Sequence, residues 1–189
     1  MRTPLSLLPA ALVTLLALTP GASAQTASTQ TAGTCTLTPA ETEGPYYTQG
    51  APAKSNLAAD TGTGTRLTVT GRVLDAKCQP VRGAVIDLWQ ADAQGQYDNR
   101  GFSLRGKVTT DAQGRYSFTT VVPGRYPGRT EHIHVKVTPP GGRTLTTQLY
   151  LPNNANNARD RIYQKQMELQ NYKVSGAQAT ANFTFVVQK

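Results

Sequence analysis

The two histidines of the chain stand one residue apart, as His132 and His134, in a segment where apolar and polar residues alternate. On a β-strand, residues i and i+2 project from the same face, so both imidazoles would point one way. Ile133, Val135 and Val137 would then point into a core. Because two imidazoles side by side can chelate one ion, the pattern predicts a metal site on a strand.

Two further donors lie in glycine-containing turns before this segment, Tyr97 and Tyr126. A phenolate is a hard anionic donor that suits ferric iron. Zinc would need additional His, Cys or carboxylate ligands, and an Fe(II) facial triad would need one carboxylate, for which Glu131 or Asp98 could serve. Two tyrosines with two histidines favour Fe(III), although the residues alone leave the other metals open.

The elements that must hold these residues have the pattern of short strands. Alternation with period two, the signal of strands, covers residues 67–74, 84–90, 107–110, 115–122, 131–138, 144–151 and 181–187. Residues 158–171 could form one or two helical turns, and Trp89 is expected in the core. The fold class predicted is all-β, an antiparallel β-sandwich of immunoglobulin-like or transthyretin-like topology with little helix.

The N-terminus predicts export. Arg2 is followed by an apolar run and by the small-residue triplet Ala22 to Ala24. This is the pattern of a signal peptide over residues 1–24, cleaved after Ala24, and it is too interrupted for a transmembrane segment. Residues 25–34 are expected to be a flexible leader, and residues 35–189 one domain. The mature protein is expected to be secreted or periplasmic.

The only two cysteines, Cys35 and Cys78, are expected to form a disulfide in an oxidising compartment. The formal net charge is +8, but the basic residues are scattered and no nucleic-acid-binding motif accompanies them. No nucleic-acid partner is therefore expected, and the oligomeric state is left open.

Several motifs follow one another along most of the mature chain: Glu43-Gly44-Pro45-Tyr46, Leu88-Trp89-Gln90-Ala91-Asp92, Gly95-Gln96-Tyr97, Leu104-Arg105-Gly106, residues 110–116, Val122-Pro123, residues 129–134 and Leu145-Thr146-Thr147-Gln148. In this order and spacing they resemble the intradiol ring-cleavage dioxygenases, the catechol and protocatechuate 3,4-dioxygenase family. The resemblance implies an Fe(III) enzyme that uses O₂ to cleave catechol-type rings between the two hydroxylated carbons, with muconate-type diacids as products.

The resemblance also implies the roles of single residues. One Fe(III) per chain would have Tyr97 and His132 as equatorial ligands, Tyr126 and His134 as axial ligands, and a hydroxide in the fifth position. Tyr126 would leave the metal when a catechol chelates it, and would help to accept a catechol proton.

Three more residues receive roles from the same resemblance. Arg129 would stabilise negative charge that develops on the substrate. Gln148 matches a pocket glutamine beside the substrate, and Tyr46 is the ring expected to face it. This chain is shorter than the characterised enzymes, it lacks the helical N-terminal dimerisation region of catechol dioxygenases, and its segment from Tyr126 to His132 is compressed. The shorter loop over the iron is expected to leave a more open pocket.

Two other functions fit part of the pattern. Transthyretin-like modules share much of the strand pattern and bind partners without a metal, so the chain could be a secreted binding module. It could also bind iron or a catecholate without turnover. Fold alone does not separate these alternatives, whereas the tyrosines and histidines do.

Overall fold

The computed structural model describes residues 33–189. The predicted signal peptide and most of the predicted leader lie outside the described residues. The strands of this part are β1 Arg66–Asp75, β2 Val85–Trp89, β3 Arg105–Thr109, β4 Arg115–Val121, β5 His132–Thr138, β6 Leu145–Tyr150, β7 Gln170–Ser175 and β8 Gln178–Val187. Short 3₁₀ helices span Leu57–Asp60, Asn157–Arg159 and Lys165–Met167. Within residues 33–189, no helix has the length and apolar character needed to cross a membrane.

The strands form two four-stranded sheets, with strand orders β4-β1-β8-β7 and β3-β2-β5-β6. All pairs of neighbouring strands are antiparallel except β1 and β8, which run parallel along their whole length. A parallel pair needs a long connection, and here β2 to β7 lie between the two strands in the chain. The predicted all-β sandwich with little helix is confirmed, with this one parallel pair.

The core lies between the two sheets. On β5 the buried residues Ile133, Val135 and Val137 belong to it, and on β2 it includes Ile86 and Leu88. Because side chains alternate along a strand, burying these residues turns the intervening side chains of β5 and β2 to the outer face of their sheet. The core therefore decides which way the two histidines point.

The expected disulfide is present. Cys35 and Cys78 are bonded, with their Cα atoms 5.3 Å apart. The disulfide links the segment before β1 to the turn that follows β1. In the same place, the backbone N–H of Cys35 donates a hydrogen bond to the carbonyl of Ala76.

The expected burial of Trp89 is confirmed, and the structure shows which face of the sheet it occupies. Its side chain is buried, but it lies on the outer face of β2, stacked on His134, and not between the sheets. Leu88 takes the inward position, and the segment that precedes β1 covers Trp89 through Tyr47. Period two cannot tell which face is the core when both faces of a strand are covered.

The region after β6 also differs in part from expectation. The expected helical turns are two 3₁₀ helices, and the chain then continues into β7, which the sequence pattern did not predict. Nearly every residue of β7 is exposed. An edge strand without a buried face has no apolar alternation to reveal it.

Candidate active site

The two histidines at the start of β5 form a preorganised pair. Their Nε2 atoms are 3.1 Å apart. The Nδ1 atom of His132 lies 2.6 Å from the carbonyl oxygen of Thr130, which can only accept, so Nδ1 carries the proton and Nε2 keeps a free lone pair. Two nitrogens about 2.1 Å from one ion, at roughly a right angle, would be about 3 Å apart. The pair fits a single metal ion.

Burial keeps both imidazoles neutral. His132 is 3% exposed and His134 is 0% exposed. Burial, together with the charge of Arg129, lowers the pKa of His132 to about 4. Burial and the neighbouring His132 lower the pKa of His134 well below its usual value. Neutral imidazole is the form that binds metals, so both side chains are ready to act as ligands near neutral pH.

The two predicted tyrosines lie against this pair. The hydroxyl of Tyr97 is 3.5 Å from Nε2 of His132, and the ring of Tyr126 packs on the same histidine with centroids 5.7 Å apart. The two phenol rings are 5.8 Å apart. Burial raises the pKa of Tyr97, so this phenol would ionise only next to a compensating cation.

Close backbone packing brings the two tyrosine turns together. The backbone N–H of Gly124 donates to the carbonyl of Asp92 at 2.7 Å. Gly95 has a φ of +83°, and a Cβ atom there would lie 2.2 Å from the carbonyl oxygen of Arg125. A glycine is therefore required at this contact, which sets the distance between Tyr97 and Tyr126.

The carboxylates proposed for an Fe(II) triad are engaged elsewhere. The carboxylate of Asp98 accepts hydrogen bonds from the backbone N–H groups of Arg100, Gly101 and Ser103. Glu131 accepts hydrogen bonds from Thr130 and Asn154. In residues 33–189, no group of three or more His, Cys, Asp or Glu side chains could hold a metal. The donors that remain are two imidazoles and two phenols, a set that suits ferric iron better than zinc.

The guanidinium of Arg129 is held at the edge of this site by three acceptors. Its Nε donates to Asp160 at 2.9 Å, its Nη2 to Gln148 at 2.5 Å, and its Nη1 to the hydroxyl of Tyr126 at 3.3 Å. Burial disfavours the charge of Arg129, but the hydrogen bond and charge of Asp160 outweigh it and raise the pKa. The site thus has a fixed positive charge beside one predicted metal ligand.

The segment before β1 covers the site. Tyr46 stacks on Tyr97 with ring centroids 4.3 Å apart and meets Tyr126 edge-on at 5.8 Å. Gly44 lies over His134 with a φ of +68°, and a Cβ atom there would be 3.3 Å from the imidazole. Tyr46 therefore packs directly against two of the predicted metal ligands, and its role in facing the substrate stays a prediction.

Tyr47, the next residue, fastens this segment to the sheet. Its hydroxyl donates to Asp87 at 3.1 Å, and its ring packs on Trp89 at 4.8 Å. The ammonium group of Lys136 lies 4.1 Å from the centre of the same ring and pairs with Glu43. These contacts fix the direction in which Tyr46 points.

The other arginines of the segments that build the site are directed elsewhere. Arg105 is buried and donates through Nε and Nη2 to the carbonyl of Asp98. Arg125 is exposed and donates to Asn156, and Arg100 is exposed. Arg129 is the arginine of this group that bonds to Tyr126 and Gln148.

The structure brings the seven predicted site residues together, namely Tyr46, Tyr97, Tyr126, Arg129, His132, His134 and Gln148. Their catalytic and ligand roles stay predictions. Sequence reasoning missed Trp89, whose ring is parallel to that of His134 at 4.8 Å, and Asp160, which orients Arg129. The motif that contains Trp89 was visible in the sequence, whereas nothing near Asp160 marks its role.

The described residues form a β-sandwich that groups two imidazoles and two phenols at one site, and comparisons with known proteins assign the chain to a family. A family model described as a dioxygenase, Dioxygenase_C, matches residues 42–188. Catechol 1,2-dioxygenase 2 of Acinetobacter lwoffii is 37% identical over 138 residues, covering 59% of this chain and 50% of that protein. The protocatechuate 3,4-dioxygenase beta chain of Burkholderia cepacia is 39% identical over 119 residues, covering 53% of this chain and 51% of that protein.

Solved structures show the same relationship. The dioxygenase domain of a dioxygenase and carbohydrate-binding protein fusion from the cellulolytic bacterium Streptomyces sp. SirexAA-E has a TM-score of 0.78 and 40% identity, covering 81% of this chain and 99% of that one. An intradiol ring-cleavage dioxygenase from Tetranychus urticae has a TM-score of 0.74 and 26% identity, covering 82% and 95%. The chain belongs to the intradiol ring-cleavage dioxygenase family. It spans about half the length of the curated relatives named above.

Proposed function

We propose that this protein is an Fe(III)-dependent intradiol dioxygenase, which uses O₂ to cleave a catechol-type ring between its two hydroxylated carbons and releases a muconate-type diacid. The observation that carries the proposal is the convergence of donors: two Nε2 atoms 3.1 Å apart with a phenol oxygen 3.5 Å from one of them. The function of a transthyretin-like binding module does not require two neutral imidazoles packed against two phenols.

The metal would be held by His132, His134, Tyr97 and Tyr126. A ferric ion bound there would supply a centre that withdraws electron density from a catecholate and so activates it toward O₂. Both tyrosines are less enclosed than the two histidines, and Tyr126, whose hydroxyl accepts from Arg129 at 3.3 Å, is the one that we assign as the ligand that gives way to substrate. Its phenolate oxygen is then the base that takes a proton from a catechol hydroxyl.

The surrounding side chains bind and orient the ring. The guanidinium of Arg129, already 3.3 Å from the hydroxyl of Tyr126, stabilises negative charge on a substrate oxygen that takes the place of this phenol. Gln148 keeps that guanidinium in place. Tyr46 supplies an aromatic face against which the substrate ring can pack.

The test is a visible spectrum with iron quantitation on purified protein reconstituted with ferric iron, before and after addition of catechol under air. We expect about one iron per chain, a tyrosinate-to-iron band that changes with substrate, and ultraviolet absorption of a muconate-type product. Colour without product would indicate an iron or catecholate carrier. A chain that stays colourless would indicate a binding module and overturn the four-ligand assignment.

A Tyr126→Phe variant tests whether Tyr126 is the ligand that leaves the metal and accepts a proton from the substrate. We expect it to retain iron with a shifted band and to lose most turnover, since the base is removed. Tyr172→Phe is the matched control, because Tyr172 lies on β7 in the opposite sheet. Unchanged turnover in Tyr126→Phe would remove this residue from the mechanism.

The proposal includes export. The disulfide between Cys35 and Cys78 supports it, because such bonds persist in oxidising compartments outside the cytoplasm. N-terminal sequencing of protein recovered from the periplasm or medium should begin at Gln25. Recovery of the intact N-terminus from the cytoplasm would contradict this.

A further inference from the structure

A half-buried carboxylate, that of Glu41, is linked to the site through a chain of side chains. Gln148 accepts from Arg129 at 2.5 Å through Oε1, and the same oxygen is 3.4 Å from the hydroxyl of Tyr150. That hydroxyl is also 2.5 Å from Oε2 of Glu41. Because Arg129 reaches Tyr126, Glu41 is connected to a predicted metal ligand without touching it.

Strand β6 and the segment before β1 build this connection. Gln148 and Tyr150 alternate on β6, where they lie opposite His134 and His132 in the register with β5. The backbone N–H of Glu41 donates to Thr146 on the same strand at 2.8 Å. The backbone of both segments therefore places the carboxylate beside Tyr150.

The hydroxyl of Tyr150 has one proton and three acceptors within reach. These are Oε2 of Glu41 at 2.5 Å, the carbonyl of Ile162 at 3.2 Å, and Oε1 of Gln148 at 3.4 Å. When Glu41 is ionised, the proton points to it. When Glu41 is protonated, the carboxyl donates to Tyr150, whose own proton must turn to one of the other two acceptors.

The surroundings of Glu41 favour a change of proton state near neutral pH. Burial raises its pKa to about 7, with a smaller raising effect from the charge of Asp160, against the opposing effects of the Tyr150 hydrogen bond and the charge of Arg129. Its Oε1 is buried and has no hydrogen-bond partner within residues 33–189. An uncharged carboxyl tolerates this position better than a carboxylate.

We propose that Glu41 is a positioning residue of the dioxygenase site, whose proton state redirects the Tyr150 hydroxyl and thereby changes how Gln148 holds Arg129. Oε1 of Gln148 would then accept from both Tyr150 and Arg129, and sharing this oxygen between two donors changes the hydrogen bond that it makes to the guanidinium. The inference rests on the proposed function for its catalytic consequence, but the coupling itself is a property of the protein without iron.

The direct test is the pH dependence of the Gln148 side-chain amide signal in NMR spectra of iron-free protein. We expect a shift with a midpoint near neutral pH in the wild type, and no such transition in Glu41→Gln or Tyr150→Phe. Asp111→Asn is the control: Asp111 is exposed in the turn between β3 and β4, where its carboxylate accepts hydrogen bonds from the backbone N–H groups of Gln113 and Arg115. This control should keep the wild-type transition.

A second experiment measures the catalytic consequence by comparing the pH profiles of kcat/KM for the iron-loaded proteins. We expect the wild type and Asp111→Asn to show a change of about fivefold or more near neutral pH, and Glu41→Gln to lack it. A Gln148 transition that survives in Glu41→Gln and Tyr150→Phe would overturn the inference. Absence of turnover in the wild type would instead refute the proposed function, while the NMR result would still decide the coupling.

Discussion

Removing one partner of the ion pair between Arg129 and Asp160 should be costly, because the charge of the other partner would stay buried. The side chain of Asp160 is 2% exposed and that of Arg129 is 14% exposed. Removing one partner of a buried pair costs about 3 to 5 kcal/mol, since the remaining charge stays desolvated. Asparagine keeps an acceptor for the N–H of Thr130, which now donates to Asp160 at 2.9 Å. We therefore expect Asp160→Asn to lower the free energy of unfolding by about 2 to 3 kcal/mol.

The measurement is urea unfolding of iron-free protein at neutral pH. Asp60→Asn is the matched control, because Asp60 also accepts one backbone N–H, from Leu104, and pairs with one cation, Lys54. That pair is more exposed, at 20% and 24%, so its loss should cost less than about 1 kcal/mol.

The loss of stability in Asp160→Asn should depend on pH in a definite direction. Burial alone would raise the pKa of Asp160, but the N–H groups of Thr130 and Ile162 and the guanidinium of Arg129 outweigh it and lower the pKa. The stabilising contribution is therefore present above the unfolded-state pKa and is lost as the pH falls through the folded-state pKa. The difference between wild type and Asp160→Asn should shrink below about pH 4. Equal losses in the two variants, or a difference independent of pH, would refute the reasoning.

Three further predictions concern the metal, the disulfide and the substrate. His134→Ala should lose iron on quantitation, and full occupancy would remove His134 from the ligand set. Cys78→Ser should lower the unfolding free energy by about 4 kcal/mol in urea titrations, because it opens the loop that begins at Cys35; a loss below about 1 kcal/mol would contradict this. Arg105 and Arg125 are hydrogen-bonded elsewhere and so do not provide a cation for a substrate carboxylate. Catechol should therefore show a kcat/KM at least about tenfold above that of 3,4-dihydroxybenzoate. A higher kcat/KM for 3,4-dihydroxybenzoate would contradict this.

Much of the fold and of the site could be predicted from local patterns. The strand pattern placed His132 and His134 on one face, and the structure confirms that Ile133, between them, is in the core. The glycine turns that hold Tyr97 and Tyr126 were recognisable because such turns need residues with positive φ or without a side chain. The order of these motifs indicates the family from the sequence alone.

Other features had no local signal. Strand β7 is an edge strand with almost all of its residues exposed, so it lacks the alternation that marks a strand. Trp89 followed the expected period, but the period could not tell the core face from a second covered face. Asp160 lies in a polar loop 31 residues from its partner Arg129, and loop sequences do not encode which distant side chain they meet.

The sequence by itself determined the alternation of side chains, the donor types available for a metal, and the turns that present them, because each depends on neighbours within a few residues. Only the tertiary structure decided the 3.1 Å separation of the imidazole nitrogens, the burial that lowers their pKa values, and the direction of each arginine. It also brought Glu41 to Tyr150 across 109 residues of chain. These contacts depend on how the sheets and covering segments pack, and a hydrogen bond between distant residues exists only once that packing has placed donor and acceptor together.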